Sequence, residues 1–453
     1  MLQRLDLRCA SGTPTPPQNL DERLPRARLD ITKALTLVEP LIDEVRRRGA
    51  EALREQAERF DGVRPRHLRV PEVELTAAAA ALTPQLREAL DLSIAHNRAG
   101  HEAQMPTNAS TQIVPGGFVR QRWIPVSRVG LYVPGGLAVY PSSVIMNAVA
   151  AQVAGVQSIA LASPAQKQFG GLPHPTILAA CYLLGITEVY AVGGAGAIAM
   201  FAYGAQGQEN LDEPVLCSKV DVVTGPGNIF VAAAKRAVRG VVGIDAEAGT
   251  TEIAIVADDS ANPEYVAADL LSQAEHDPAA ASVLITPSDR LADEVEAALE
   301  IRVSKTKHSQ RVREALSGPQ SGVVLVDTLD EALDVANAYG AEHLEIQTRN
   351  AREDAAKIRN AGAIFVGSYS PVPLGDYIAG SNHVLPTGGT ARFASGLGVH
   401  AFLKSVQEIE YTREALAALY SPLAAIAHDE DLPAHAEAVA ARQECLSFAV
   451  DDE

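Results

Sequence analysis

Apolar residues recur at three- and four-residue spacing from Ile31 to about Arg98, in TKALTLVEPLIDEVRRRGAEALREQAERF and LTPQLREALDLSIAHNR. This predicts amphipathic helices that turn one face to a core. From Arg128 the texture changes. Short Val, Ile, Leu and Ala runs broken by glycine (RVGLYVPGG, VQSIALASP, TEVYAVGG, VDVVTGPGN) alternate with helical stretches such as IMNAVAAQVAG and IFVAAAKRAV. The alternation predicts βαβ units around a buried parallel sheet, a Rossmann-like domain over residues 132–249. A second series, TEIAIVAD, ASVLITP, GVVLVDT, HLEIQT and AGAIFVG, is separated by helical segments and predicts another α/β sheet. With the early helices packed on that sheet, the first α/β domain comprises 31–131 and 250–395 and the Rossmann-like domain is inserted in it. Residues 1–30, rich in Pro and Arg, read as an N-terminal arm. Residues 396–453 read as a helical C-terminal extension with no sheet of its own, which must lie on another domain or subunit.

Length supports this division, since 453 residues exceed one ordinary core. No apolar run is long enough to cross a bilayer, and MLQRLDLRCASGTPTPPQNL lacks the apolar centre of a secretory signal, so a cytoplasmic protein is expected. The net charge of -18 disfavours nucleic acid and anionic lipid as partners. An anionic cofactor stays open, because a dinucleotide is held by local backbone donors. Cys9, Cys181, Cys217 and Cys445 are scattered, with no CxxC spacing, and read as reduced thiols, Cys181 within a core run.

Candidate chemistry falls in six places. In VDVVTGPGNIFVAAAKR a strand runs into glycines and a helix, which puts Gly227 and Asn228 at a positive helix terminus that suits a phosphate; a tight βα turn uses the same residues. VGGAGAIAMFAYG (192–204) is a weaker relative of the same pattern, and Tyr132 before Pro134 offers a ring for stacking. Gln273 and His276 lie three apart near a helix end, where a metal could take an amide oxygen and an imidazole nitrogen; a histidine there also suits the helix dipole. Asp376 and His383 fall in a glycine-rich loop after AGAIFVG, where a carboxylate is either a ligand at a strand's carboxyl end or an Asx turn. Glu430 and His435 flank a helix start with Asp431 and Pro433. Glu342 and His343, at a junction of helix and strand, supply two proton acceptors of different basicity. His67, His96, His101 and His308 sit among polar residues and are expected to be solvated.

Taken in order along the chain, RVGLYVPGG, VDVVTGPGN, IDAEAGTTEIAI, LLSQAEHD, AEHLEIQT, GDYIAGSNHVLPT and DEDLPAH are similar to the histidinol dehydrogenase family over nearly the whole length. The resemblance implies an NAD-linked oxidation of L-histidinol to L-histidine through the aldehyde. It implies one Zn2+ per subunit on Gln273, His276, Asp376 and His435. His343 would be the base for the alcohol and Glu342 the base for water. Tyr132, the position of Gly196, and Asn228 would face the cofactor, while Thr251, Glu430, His435 and the zinc and base residues would face the substrate. It further implies a homodimer in which Glu430 and His435 complete the partner's site. Two positions depart from the family: Gly196 replaces a glutamine that touches NAD, and Thr250 replaces a proline. Losing one such hydrogen bond, worth roughly 0.5 to 1.5 kcal/mol, predicts weaker NAD binding with the chemistry kept. A binding paralogue without turnover, and a dehydrogenase of another amino alcohol, are the competing readings.

Overall fold

The computed structural model describes residues 2–8, 20–27, 31–135, 139–207, 215–247 and 249–444; Cys9 and Cys445 lie outside them. The chain divides into one unit of residues 1–104 and 126–402 and a second of 105–125 and 403–453. Strands are numbered in chain order. The first unit holds two all-parallel sheets. In one the order is β10 (Gly243–Ile244), β9 (Val222–Thr224), β4 (Arg128–Tyr132), β5 (Ser158–Ser163), β6 (Glu188–Ala191). In the other it is β1 (Gln3–Asp6), β13 (Gly322–Leu325), β12 (Ala281–Thr286), β11 (Glu252–Ala257), β14 (His343–Gln347), β15 (Ala363–Val366). A short ribbon pairs β7 (Ala205–Gln206) with β8 (Val215–Cys217).

Every residue of β11, β12, β13 and β14 is buried, as expected of inner parallel strands covered on both faces. On β14 the alternation sorts chemistry from packing. Leu344 and Ile346 join an apolar cluster with Val256, Val283 and Val324. His343, Glu345 and Gln347 point the other way, since neighbouring strand residues face opposite sides.

Three expectations change. The helices Ile31–Arg48, Glu72–Ala80 and Pro84–Glu102 pack on helices of the five-stranded sheet, not on the six-stranded one. Ala34, Val38, Ile42 and Val45 enter the same cluster as Phe201, Val223 and Ala233. An amphipathic stripe records that a face is buried and not which surface covers it. Part of the arm is structural, because β1 pairs in register with β13 from Gln3–Gly322 to Asp6–Leu325. The C-terminal extension also carries a strand: in the second unit β16 (Leu403–Tyr411) pairs antiparallel with β3 (Gly117–Pro125), which pairs with β2 (Ala109–Val114). This ribbon is largely exposed, held across strands by the pairs Arg120–Glu410 and Arg122–Glu408, so no apolar alternation announces it. The helices Arg413–Ala418, Tyr420–Asp429 and Pro433–Glu444 follow. No helix among the described residues is long and apolar enough to cross a membrane.

Candidate active site

Helix Pro263–Ala274 starts at Asn262, whose side chain accepts the Glu264 N–H, and ends so that Gln273 lies in its last turn with His276 just beyond. Helix Leu329–Tyr339 is stopped by Gly340 in the left-handed conformation (φ 58), and the chain enters β14 at Glu342–His343. Glu252 opens the neighbouring strand β11, with Thr251 just before it. All these groups therefore meet at the amino edge of the six-stranded sheet, not at the carboxyl edge where open α/β sheets usually bind ligands. Asp376 is not in a loop. It ends a short helix, Val372–Tyr377, which starts level with Glu345 and runs back towards His343.

A chain of hydrogen bonds orients the site. The Thr251 hydroxyl and the Glu252 N–H donate to Glu342 Oε2 at 2.6 and 2.9 Å. The Gln273 amide nitrogen donates to Thr251 Oγ1 at 2.6 Å. The hydroxyl's one proton is used on the carboxylate, so its oxygen must accept from Gln273, which aims the amide oxygen the other way. That oxygen, Gln273 Oε1, is buried without a partner, as is His343 Nε2. His343 Nδ1 lies 3.2 Å from the Glu252 carbonyl, which can only accept, so Nδ1 carries the proton and Nε2 of the neutral ring keeps a lone pair. Asp376 Oδ1 stands 3.9 Å from that Nε2, and Glu342 Oε2 stands 3.6 Å from Nδ1.

Burial dominates the acid–base behaviour. It pushes Glu342 up to about 8 against the opposing hydrogen bonds from Thr251 and Glu252, and it lowers His343 and His276 despite the nearby Asp376 charge. Burial also lifts Glu252 to about 7, although Arg26 Nε lies 3.1 Å from its carboxylate. His383 is tied in place: Nδ1–H donates to the Asp376 carbonyl at 3.1 Å and Nε2 accepts from Ser143 at 3.0 Å. The segment carrying it is strapped to helix Pro84–Glu102 by Ser93, His96 and Asn97, which bond the carbonyls of Tyr377, Ile378 and Ser381. His101 is wholly buried there, with Nδ1 on the Asn97 carbonyl, which corrects its reading as solvated.

Within one chain the donors that suit a metal are Gln273 Oε1, His276 and Asp376. An unpartnered buried amide oxygen beside a carboxylate and an imidazole fits a cation such as zinc, which accepts mixed N and O ligands and leaves a position for substrate. Among the described residues no three His, Cys, Asp or Glu side chains gather around one point, so the set needs the amide and a donor from outside. Glu430 and His435 belong to the second unit and are exposed, and Asp431 takes a positive φ of 56 before the helix at Pro433.

The five-stranded sheet offers different chemistry at its carboxyl edge. Asn228 caps helix Ile229–Val238, its Oδ1 accepting the N–H groups of Phe230 and Val231, so part of the donor set expected for a phosphate is already used. Gly225 before it is obligatory: its φ is +124, and a Cβ would come within 1.9 Å of the Tyr132 carbonyl. A buried ion pair clasps that peptide from both ends, Lys235 Nζ donating to the Gly225 carbonyl at 3.0 Å and Asp245 accepting its N–H at 2.8 Å. Tyr132 is buried and its hydroxyl accepts the Gly194 N–H at 3.2 Å, so its ring is core instead of a stacking platform. Gly196 lies beneath Gln56, where an added Cβ would meet Gln56 Oε1 at 2.7 Å. A cavity of about 620 Å³ lined by Phe60, Asp61, Gly135, Gln166 and Lys167 opens at this edge. Thr250 packs with its hydroxyl buried and unpartnered.

The chain resembles known proteins over nearly its whole length. Residues 24–443 match the family profile described as histidinol dehydrogenase. The chain is 59% identical to a histidinol dehydrogenase of Thermobifida fusca (strain YX) over 442 residues, 98% of each chain, and 58% identical to one of Bifidobacterium longum (strain NCC 2705), covering 92% and 89%. The crystal structure of histidinol dehydrogenase from Elizabethkingia anophelis superposes with a TM-score of 0.88 at 29% identity, covering 98% of this chain and 99% of that one.

Proposed function

The chain belongs to the histidinol dehydrogenase family, and we propose that it oxidises L-histidinol to L-histidine through L-histidinaldehyde, reducing two NAD in succession, as the last steps of histidine biosynthesis. The reading rests above all on the neutral His343, whose buried Nε2 faces the site without a partner. Zinc bound by Gln273, His276 and Asp376, with His435 from a second copy of the chain, would hold and orient the amino alcohol through its amino and imidazole nitrogens, one ion per subunit.

In the first half-reaction His343 Nε2 takes the hydroxyl proton. The bond from Nδ1 to the Glu252 carbonyl holds the ring and its tautomer, and Asp376 offsets the positive charge that forms. In the second, Glu342 takes a proton from the water that adds to the aldehyde. Burial makes this carboxylate more basic than usual, which suits it to that step, and both of its donors reach Oε2, leaving Oε1 for the water. Thr251, which bonds both Glu342 and Gln273, also faces the substrate, together with Glu430 and His435 of the second copy. Tyr132, Gly196 and Asn228 stand on the domain that would hold NAD, in a cytoplasmic homodimer.

The test is a histidinol assay on the purified chain. Two NADH per histidinol, stopped by chelation and restored by zinc, is the expected result. No NADH from histidinol would overturn the assignment in favour of a binding protein, and turnover of another amino alcohol alone would overturn the substrate.

A further inference from the structure

Between the six-stranded sheet and helix Pro263–Ala274 lies an apolar layer that includes Ile253, Ile255, Val266, Leu270 and Val372. Three polar side chains interrupt it, Asp269, Glu345 and Gln347, all buried and none used by the chemistry above. The Gln347 amide donates to Glu345 Oε2 at 2.7 Å and to Asp269 Oδ2 at 3.1 Å, and the Val372 N–H donates to Glu345 Oε1 at 3.1 Å. Burial, and then the charge of Asp269, holds Glu345 well above the usual carboxylate range, and burial raises Asp269 as well, so the pair favours a form that keeps a proton.

The spacing relates each member to the site. Asp269 precedes Gln273 by four residues, one helical turn on the same face. Val372 precedes Asp376 by four on its own helix. Glu345 follows His343 by two on the same face of β14. Three separate elements, each carrying one group of the site, are thus joined one structural repeat away from that group. Apolar contacts alone would bury the layer but are non-directional and would let the helices shift along the strand. Hydrogen bonds between buried groups fix both register and rotation.

We propose that Asp269, Glu345 and Gln347 are positioning residues whose hydrogen bonds lock helices 263–274 and 372–377 onto β14, holding Gln273 and Asp376 in place at the site of His343. This rests on the reading of the site as a zinc centre. Supporting groups behind metal ligands typically change affinity about 10- to 100-fold when removed.

The experiment compares wild type, Glu345→Gln and the double variant Asp269→Leu/Glu345→Leu, using zinc affinity by chelator competition, melting temperature, and kcat and KM for histidinol. Glu345→Gln can still accept from Val372 through its amide oxygen and, once the Gln347 amide turns over, donate to the otherwise unpartnered Gln347 oxygen, so it is expected to keep zinc affinity within about threefold of wild type. The double variant keeps the layer apolar and is expected to fold, with zinc affinity lowered at least about tenfold and kcat still reduced at saturating zinc. Should it not fold, Gln347→Leu, which removes only the bridging amide, decides on the same readout. Zinc affinity unchanged in the folded variants, or lost equally in Glu345→Gln, overturns the proposal. A wild-type chain that binds no zinc overturns the reading of the site, and the proposal with it; bound zinc in wild type with undiminished variants overturns the proposal alone.

Discussion

The two parallel sheets of the first unit are used at opposite edges. In the five-stranded sheet the distinctive features gather where strands end and helices begin: Gly194, Gly225 and Asn228. In the six-stranded sheet they gather where helices end and strands begin: Gln273, His276, Glu342, His343 and Thr251. A parallel sheet with βα connections puts helix N-termini at one edge and C-termini at the other, and their partial charges differ in sign. The first edge suits an anion such as a dinucleotide phosphate, and the second suits a cation such as a metal or an ammonium group. One architecture thus offers two opposite binding polarities, and the chain places Glu252, Glu342, His276 and His343 at the one that suits a cation.

The sharpest way to break this contrast is at the amino edge. His343→Ala is expected to lower the rate of histidinol oxidation by about 10² to 10⁴, because proton removal by a positioned base contributes that much. Glu342→Ala should depress aldehyde oxidation more than alcohol oxidation. Separate assays with histidinol and histidinaldehyde measure both, and equal losses in the two halves would defeat the division of roles. At the opposite edge, Lys235→Met leaves Asp245 unpaired in a site where the two side chains are 2% and 4% exposed. Breaking such a pair costs about 3 to 5 kcal/mol, read by chemical denaturation, and the loosened Gly225 turn should raise KM for NAD while that for histidinol stays the same.

A smaller effect is pH-dependent. Burial raises Asp61 to about 6, so its contribution to stability is whole below the ordinary aspartate range and is lost as pH rises through about 6. Asp61→Asn should therefore melt above wild type at pH 8 and level with it at pH 4; the reverse order would show that the charged form is the favoured one. The smallest is Gly196→Gln. Alone it must displace Gln56 and should improve KM for NAD little, whereas with Gln56→Ala it should lower that KM by the several-fold that one hydrogen bond supplies. Equal effects with and without Gln56→Ala would remove Gln56 from the account.

Much of the fold was legible because inner parallel strands are long apolar runs: β11, β12 and the strands around Val129 and Leu161 stand out on composition alone. The ribbon around β16 did not, having no buried face to impose alternation. Helix Val372–Tyr377 was hidden by its own Pro and Gly, which suit a loop; part of its hold is the bond from Val372 to Glu345, a residue far away in sequence. Glu342 and His343 were visible as a titratable pair at an element boundary. Glu252 was not, although its carbonyl fixes the His343 tautomer, because a carbonyl's role is independent of residue type. The alternation in HLEIQT did hold a signal for Glu345 and Gln347: three polar residues on one side of a strand whose other side is apolar.

The order of residues along the chain determined which segments became strands and helices and which chemical groups were available, since propensity, periodicity and capping act over a few residues. Only the tertiary structure decided that the early helices cover the five-stranded sheet, that Asp376 turns back beside His343, and that the chemistry occupies the amino edge. Those outcomes depend on burial and on hydrogen bonds between groups far apart in sequence. Such interactions acquire direction and strength only once the surrounding core has excluded water.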